Sequence, residues 1–115
     1  MKTILITLST TNSVLFYIGT NANDNDQVIL NGNPDDFWFH SAETSSCHVV
    51  AMMPENYTKK EKHQIIKAGA ALCKQHTTKL KKEKTTPFIF TKLRHVQRTS
   101  TAGLVKTNLG SLVYV

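Results

Sequence analysis

Long apolar runs are the first thing this 115-residue chain lacks. The best candidate, MKTILITLSTTNSVLFYIG at the N-terminus, is broken by Thr7, Ser9, Thr10, Thr11, Asn12 and Ser13. That is too early for the core of a signal peptide and far short of a bilayer span. Cysteine is scarce. Cys47 and Cys73 cannot build a disulfide framework and do not stand at zinc spacing, so free thiols in a reducing compartment are expected. Repeats, linkers and low-complexity tracts are absent, and GTNANDND, with its one glycine, has neither phosphate-loop nor dinucleotide-binding spacing. Acidic residues are also few: 8 Asp and Glu stand against 14 Lys and Arg, a formal charge of +6. This balance favours anionic partners, nucleic acid first and an anionic membrane surface second, over the plainer alternative of a merely basic soluble protein. Asn56-Tyr57-Thr58 has the form of a glycosylation sequon, but nothing around it indicates secretion. With 40% hydrophobic residues, the expectation is one soluble, cytoplasmic domain over residues 1–115 with a modest core and no membrane span.

Within those limits the apolar pattern predicts an α+β fold. It has an antiparallel or mixed β-sheet with one long helix, and room for a second short one, packed on a face. Ile4 to Leu8 and Val14 to Ile18 read as paired strands joined by a Ser/Thr/Asn turn. GTNANDND reads as a tight turn or exposed loop, Val28 to Leu30 as a short strand, and NGNPDD as another turn. Asp36 to Ser41 and Cys47 to Met52 read as the two strands of a hairpin. If that hairpin is symmetric about Thr44, Trp38 pairs with Val50 and His40 with His48. Asp36, Trp38 and His40 then share one face and Phe37 and Phe39 the other, an arrangement that a one-residue slip would destroy. Thr58 and Glu61 make a capping box for a helix whose Ile65, Ile66, Gly69, Leu72 and Cys73 share an apolar arc. Lys60, Lys67 and Lys74 fall opposite that arc, with His63 beside them. Pro87 introduces a strand, FIFTKLRHV, and the tail GLVKTNLGSLVYV reads as a hairpin turning at Asn108-Leu109-Gly110.

Reactive side chains concentrate in DDFWFHSAETSSCHVV, Asp35 to Val50. Cys47 and His48 are neighbours on a strand and point to opposite faces, so they cannot pair as nucleophile and base. His40 and His48 could share a metal, but zinc wants a third or fourth ligand and Asp36 is two pleats away. Neither a metal nor another cofactor is expected. The bland reading has Trp38 anchoring the core, and Asp36, His40, Ser46 and His48 forming a polar cluster at a strand end. That cluster would serve the fold first and touch nucleic acid second.

Charge is the better functional signal. Lys60, Lys67, Lys74, Lys79, Lys81, Lys82, Lys84, Lys92, Arg94 and Arg98 have only Glu61 and Glu83 among them, and the chain is acidic before residue 56 and basic after it. Any solvated helix carries lysines, but such continuity is a nucleic-acid footprint. Lys60, Lys67, Lys74, Lys81, Lys92, Arg94 and Arg98 are expected to meet phosphates. The loop from Asn21 to Asp26 (Asn21 and Asn25 in particular), with His40 and His48, would add polar contacts. The alternatives are a hydrolase or nuclease using Asp36, His40 and His48, and an adaptor that recruits protein through a sheet edge.

Taken in order, the GTNANDND loop, the PDDFWFH strand, the SSCHVV strand and the KTNLGSLVYV tail resemble the NFACT-R domain. Members of that family run from a glycine and an Asn-Asp loop to Asp-[IF]-Trp-[LF]-His, then Gly-Ser-His-Val, a Gly-x-Val strand and a Tyr-Val finish. Those motifs fall here on Gly19 to Asp26, Asp36 to His40, Ser46 to Val49, Gly103 to Val105 and Tyr114-Val115. The resemblance is nearest to the standalone eukaryotic coiled-coil-domain-containing form, without its coiled-coil tail. It implies a non-enzymatic RNA-binding domain working with ribosomal or transfer RNA, the ribosome or ribosome-associated factors, in translation or ribosome quality control. DNA binding has also been linked to the standalone form. Departures from the pattern are Ser46-Cys47 for Gly-Ser, Thr20 for a basic residue, and Arg98-Thr99 for Lys-Pro. The chain shows no N-terminal NFACT domain, helix-hairpin-helix or coiled coil, so nascent-chain elongation by these residues alone is not expected.

Overall fold

Alternating apolar and hydroxyl residues open the chain as two antiparallel strands, β1 (Lys2–Thr7) and β2 (Ser13–Gly19), with Ile4 opposite Phe16. The computed structural model describes residues 1–115. The next segment corrects the expected loop and short strand. Asn21 is extended and its side chain accepts the Asp24 N–H at 2.9 Å, which N-caps a helix, α1 (Ala22–Leu30). Asn and Asp are turn formers because they bond nearby backbone donors, and the same property starts helices. Asn25 and Val28, three positions apart, then bury against the sheet.

The hairpin has the expected register. In β3 (Phe37–Ser41) and β4 (His48–Met52), Trp38 lies opposite Val50 and Phe39 opposite Val49. The long helix α2 (Lys59–Gln75) also begins as expected. Thr58 Oγ1 accepts the Glu61 N–H at 3.1 Å, and Glu61 Oε1 accepts the Thr58 N–H at 2.9 Å. The other Glu61 oxygen accepts from Ser9 and Asn12, which ties the β1–β2 turn to the helix start. Those hydrogen bonds, led by the one from the Thr58 backbone, hold the Glu61 carboxyl below its ordinary range. Ile65, Ile66, Gly69, Leu72 and Cys73 are all buried. Gly69 is required here, because a Cβ at that position would lie 2.3 Å from the Phe39 ring.

After a 3-10 turn at Thr78–Leu80, strand β5 (Pro87–Lys92) runs into a second 3-10 turn, then β6 (Val96–Arg98), β7 (Val105–Thr107) and β8 (Ser111–Tyr114). The expected tail hairpin does not form. β7 pairs with β6 as a separate ribbon, and β8 crosses to pair with β5. The reason is burial: Val113, opposite Phe88, enters the main core, whereas Val105 and Val96 pack on the other side of the sheet. The six-stranded sheet has the order β1-β2-β4-β3-β5-β8, with every pair antiparallel. Its α2 side holds a core built on Phe16, Phe39, Val49, Ile65 and Phe88. Its opposite side holds a smaller one of Val28, Trp38, Val50 and Leu93, roofed by α1 and the β6–β7 ribbon.

Candidate nucleic-acid interface

At one end of the sheet the ends of several elements converge. The start of α1, the ends of β3 and β4, the turn after α2 and the β6–β7 turn enclose a groove of about 530 Å³. A second cavity of about 380 Å³ adjoins it, sharing His40, Ser45, His48 and Gly103. The hairpin register puts His40 and His48 side by side, their rings edge to face with centroids 4.9 Å apart. His40 also stacks on Trp38 at 5.6 Å and 7°. Trp38 is 2% exposed and donates its indole N–H to His48 Nδ1 at 3.2 Å. His40 Nδ1 lies 2.7 Å from the Ser41 carbonyl. His48 is buried, and its backbone N–H is bonded to Asn25 Oδ1 at 3.0 Å. Burial, assisted by His40, lowers the His48 pKa from 6.5 to about 3, and burial likewise lowers that of His40. Both rings are therefore neutral at pH 7.

Asp36 does not join this group. It is buried at the other end of β3, where its carboxylate accepts the backbone N–H groups of Asn33 at 2.8 Å and Met53 at 2.9 Å. Trp38 stands between Asp36 and His40, so the Asp36, His40 and His48 set required by a hydrolase does not assemble. Ser46 serves the hairpin loop: its Oγ accepts the Ser41 N–H at 2.9 Å and donates to the Cys47 carbonyl. Asn21 uses its side-chain oxygen as the α1 cap.

The basic residues divide into distinct groups. Arg94 and Lys92 both reach Asp35, and Arg98 lies 4.0 Å from Asp26. The hydrogen bond and charge of Arg94, followed by Lys92, keep the Asp35 carboxyl below its usual range. On α2, Lys60 is exposed, but Lys67 and Lys74 are not purely a solvent stripe. Lys67 Nζ donates to the Tyr114 carbonyl at 2.9 Å, and Lys74 Nζ to the Val115 carbonyl at 2.9 Å and the Lys84 carbonyl at 3.3 Å. The Tyr114 carbonyl holds the Lys67 ammonium group without neutralising it. Lys81 is exposed beyond the helix, beside Lys74.

Sequence reasoning did not place Lys79, His76, Thr77 or Gly103 at the site, yet all line the groove. Lys79 Nζ donates to Ser45 Oγ at 2.8 Å, which fixes a positive charge at the mouth. The signal available for Lys79 was its place one turn past the helix end in the basic run. Cys47 and Cys73 also meet, with Sγ atoms 3.7 Å apart and each thiol donating to the other's carbonyl. The Cys47 hydrogen bond and burial push the Cys73 thiol well above its ordinary range; Cys47 lies in the groove wall and Cys73 is packed behind it.

Among solved structures, the fold is similar to the C-terminal of the fibronectin/fibrinogen-binding protein from Streptococcus suis, with a TM-score of 0.77 at 16% identity. That likeness covers 96% of this chain and 43% of the other, so this chain spans less than half the length of its structural neighbour. No curated protein is similar enough in sequence to count as a relative. The family described as NFACT protein RNA binding domain matches residues 2–112, nearly the whole length, and the chain belongs to it.

Proposed function

We propose that this chain is a non-enzymatic RNA-binding module that holds phosphates with the lysines of α2 and the segment after it, and uses the histidine-lined groove for polar contacts. The observation that carries this reading is the distribution of counter-charges. The ion pairs are Met1 with Asp24, Lys92 and Arg94 with Asp35, and Arg98 with Asp26. None involves the lysines from Lys59 to Lys84. The acid of the helix, Glu61, is turned inward into its capping box. An unneutralised lysine field beside an open groove attracts a polyanion. Lys60, Lys79, Lys81 and Lys82 are the primary phosphate contacts. Lys67 and Lys74 add field while docking β8, and Lys92, Arg94 and Arg98 contribute less because Asp35 and Asp26 offset them. Asn21 and Asn25, at the start of α1, border the groove and supply polar contacts rather than charge.

The RNA is ribosomal or transfer RNA, and the setting is cytoplasmic translation or ribosome-associated quality control. Family membership supports the RNA, and the PDDFWFH and SSCHVV motifs support kinship with the standalone form. No helix is long and apolar enough to cross a membrane. Cross-linking in the native cell, followed by sequencing of the attached RNA, tests this directly. Enrichment of ribosomal or transfer RNA over messenger RNA is expected; recovery of no RNA above a mock control would count against RNA binding itself.

A further inference from the structure

Among the residues lining the groove, Nε2 of His40, Nε2 of His48 and Nδ2 of Asn25 have no partner in the protein, and each belongs to a residue already fixed by another hydrogen bond. No solvent-sealed side-chain nitrogen or oxygen in the molecule is unpartnered, so these three reach solvent, and their residues all line the groove. Asn25 is 8% exposed and His48 1%, so each is more than nine-tenths buried and presents little except this edge. Gly19 makes the arrangement possible, because a Cβ there would lie 2.3 Å from Asn25 Oδ1.

The polarity of each atom is imposed by a neighbour that cannot change its own. The Ser41 carbonyl only accepts, so His40 Nδ1 carries the ring proton and Nε2 is an acceptor. The Trp38 indole only donates, so His48 Nδ1 is a lone pair and Nε2 carries the proton. The His48 backbone N–H only donates, so the Asn25 oxygen faces it and the amide NH₂ points away. His48 stands between the other two, meeting the His40 ring at 4.9 Å and bonded through its backbone to Asn25. The three free atoms are therefore one acceptor and two donors.

We propose that these atoms, in the order His40, His48, Asn25, form an edge that seats one unpaired base of the bound RNA and selects cytosine. Cytosine offers the complement on its Watson–Crick edge: an amino donor followed by two acceptors, N3 and O2. Uracil places its N3–H against the His48 N–H, and guanine places its N1–H there in either direction. Adenine satisfies the first two positions and leaves the Asn25 amide unpaired. Both rings stay neutral at pH 7, which keeps the pattern fixed, and Lys79 at the groove mouth faces the flanking phosphate. The inference rests on the RNA-binding reading above.

Fluorescence anisotropy on uridine decamers with one central position set to C, A, G or U, at constant salt, tests it. The C strand should bind about tenfold or more tighter than the U strand, with A between them. His40→Phe, which keeps a flat ring over Trp38 but removes the acceptor, should cancel the C advantage. Asn25→Asp, which keeps the oxygen for His48 N–H but removes the donor, should reduce it. Equal binding of all four strands would overturn base selection while leaving RNA binding intact. A C preference that survives both substitutions would overturn the site. Binding to none of the strands, nor to ribosomal or transfer RNA, would overturn the RNA reading and this proposal with it.

Discussion

Trp38 links the fold and the groove in one side chain. Its ring is packed with Val28, Val50 and Leu93, while its N–H fixes His48. Trp38→Ala should lower stability by about 3–5 kcal/mol in urea unfolding, since a buried aromatic leaves a cavity as well as losing transfer energy. A change under about 1 kcal/mol would mean that the smaller core contributes little. His48 gives the molecule a pH signature. The unfolded chain takes up a proton there near pH 6.5, whereas the native ring resists until about 3. This contribution to stability is therefore complete above pH 6.5 and declines as pH falls toward 3, by at most about 1.4 kcal/mol per pH unit. An imidazole titration followed by NMR should find the His48 ring neutral at pH 5, and a midpoint near 6.5 would contradict its burial. Trp38, His40 and His48 were legible as neighbours because pleat alternation and hairpin symmetry are local rules. Asp36, two pleats from His40 on the same face, is kept apart from them by its own partners, the Asn33 and Met53 N–H groups, which the sequence does not reveal.

The elements that local rules specify came out as the sequence reads: the β3–β4 register, the capping box and the apolar arc of α2. Those decided by distant packing did not. GTNANDND carries equally good signals for a turn and for a helix start, and burial of Asn25 and Val28 against the sheet decides between them. The tail holds two strands whose partners, β6 and β5, lie outside it, so reading it alone produced a false hairpin. Lys67 and Lys74 were expected opposite the apolar arc, but their reach toward the β8 carbonyls depends on where that strand ends up. This gives an element-scale test. Lys74→Glu should loosen β8, seen as faster amide exchange at Val113 and Val115, while Lys60→Glu should leave their exchange unchanged. Equal effects would mean that Lys74 is held no more firmly than an exposed lysine. The junction of α2 and the sheet is tighter. Gly69→Ala should cost about 1–3 kcal/mol in thermal unfolding, because its Cβ would press on the Phe39 ring.

At the scale of the whole molecule, the sheet separates two cores, and one end of it carries the groove, with Lys79 at its mouth and the other uncompensated lysines along α2 and the segment after it. The charge asymmetry was readable from the sequence. Its division into paired cations near Asp35 and Asp26 and unpaired ones along α2 and beyond was not, because pairing depends on which loops meet. The most direct measurement of the central claim is the salt dependence of RNA affinity for the wild type and for a variant with Lys79→Glu, Lys81→Glu and Lys82→Glu. These side chains bear no part of the core other than the exposed Lys79–Ser45 contact, so circular dichroism should be unchanged. Each lost phosphate contact should flatten the log–log salt slope by about 0.7 for a single strand, with affinity at low salt falling about tenfold or more. A variant that binds RNA with wild-type affinity and wild-type slope would show that this lysine field does not hold the phosphates.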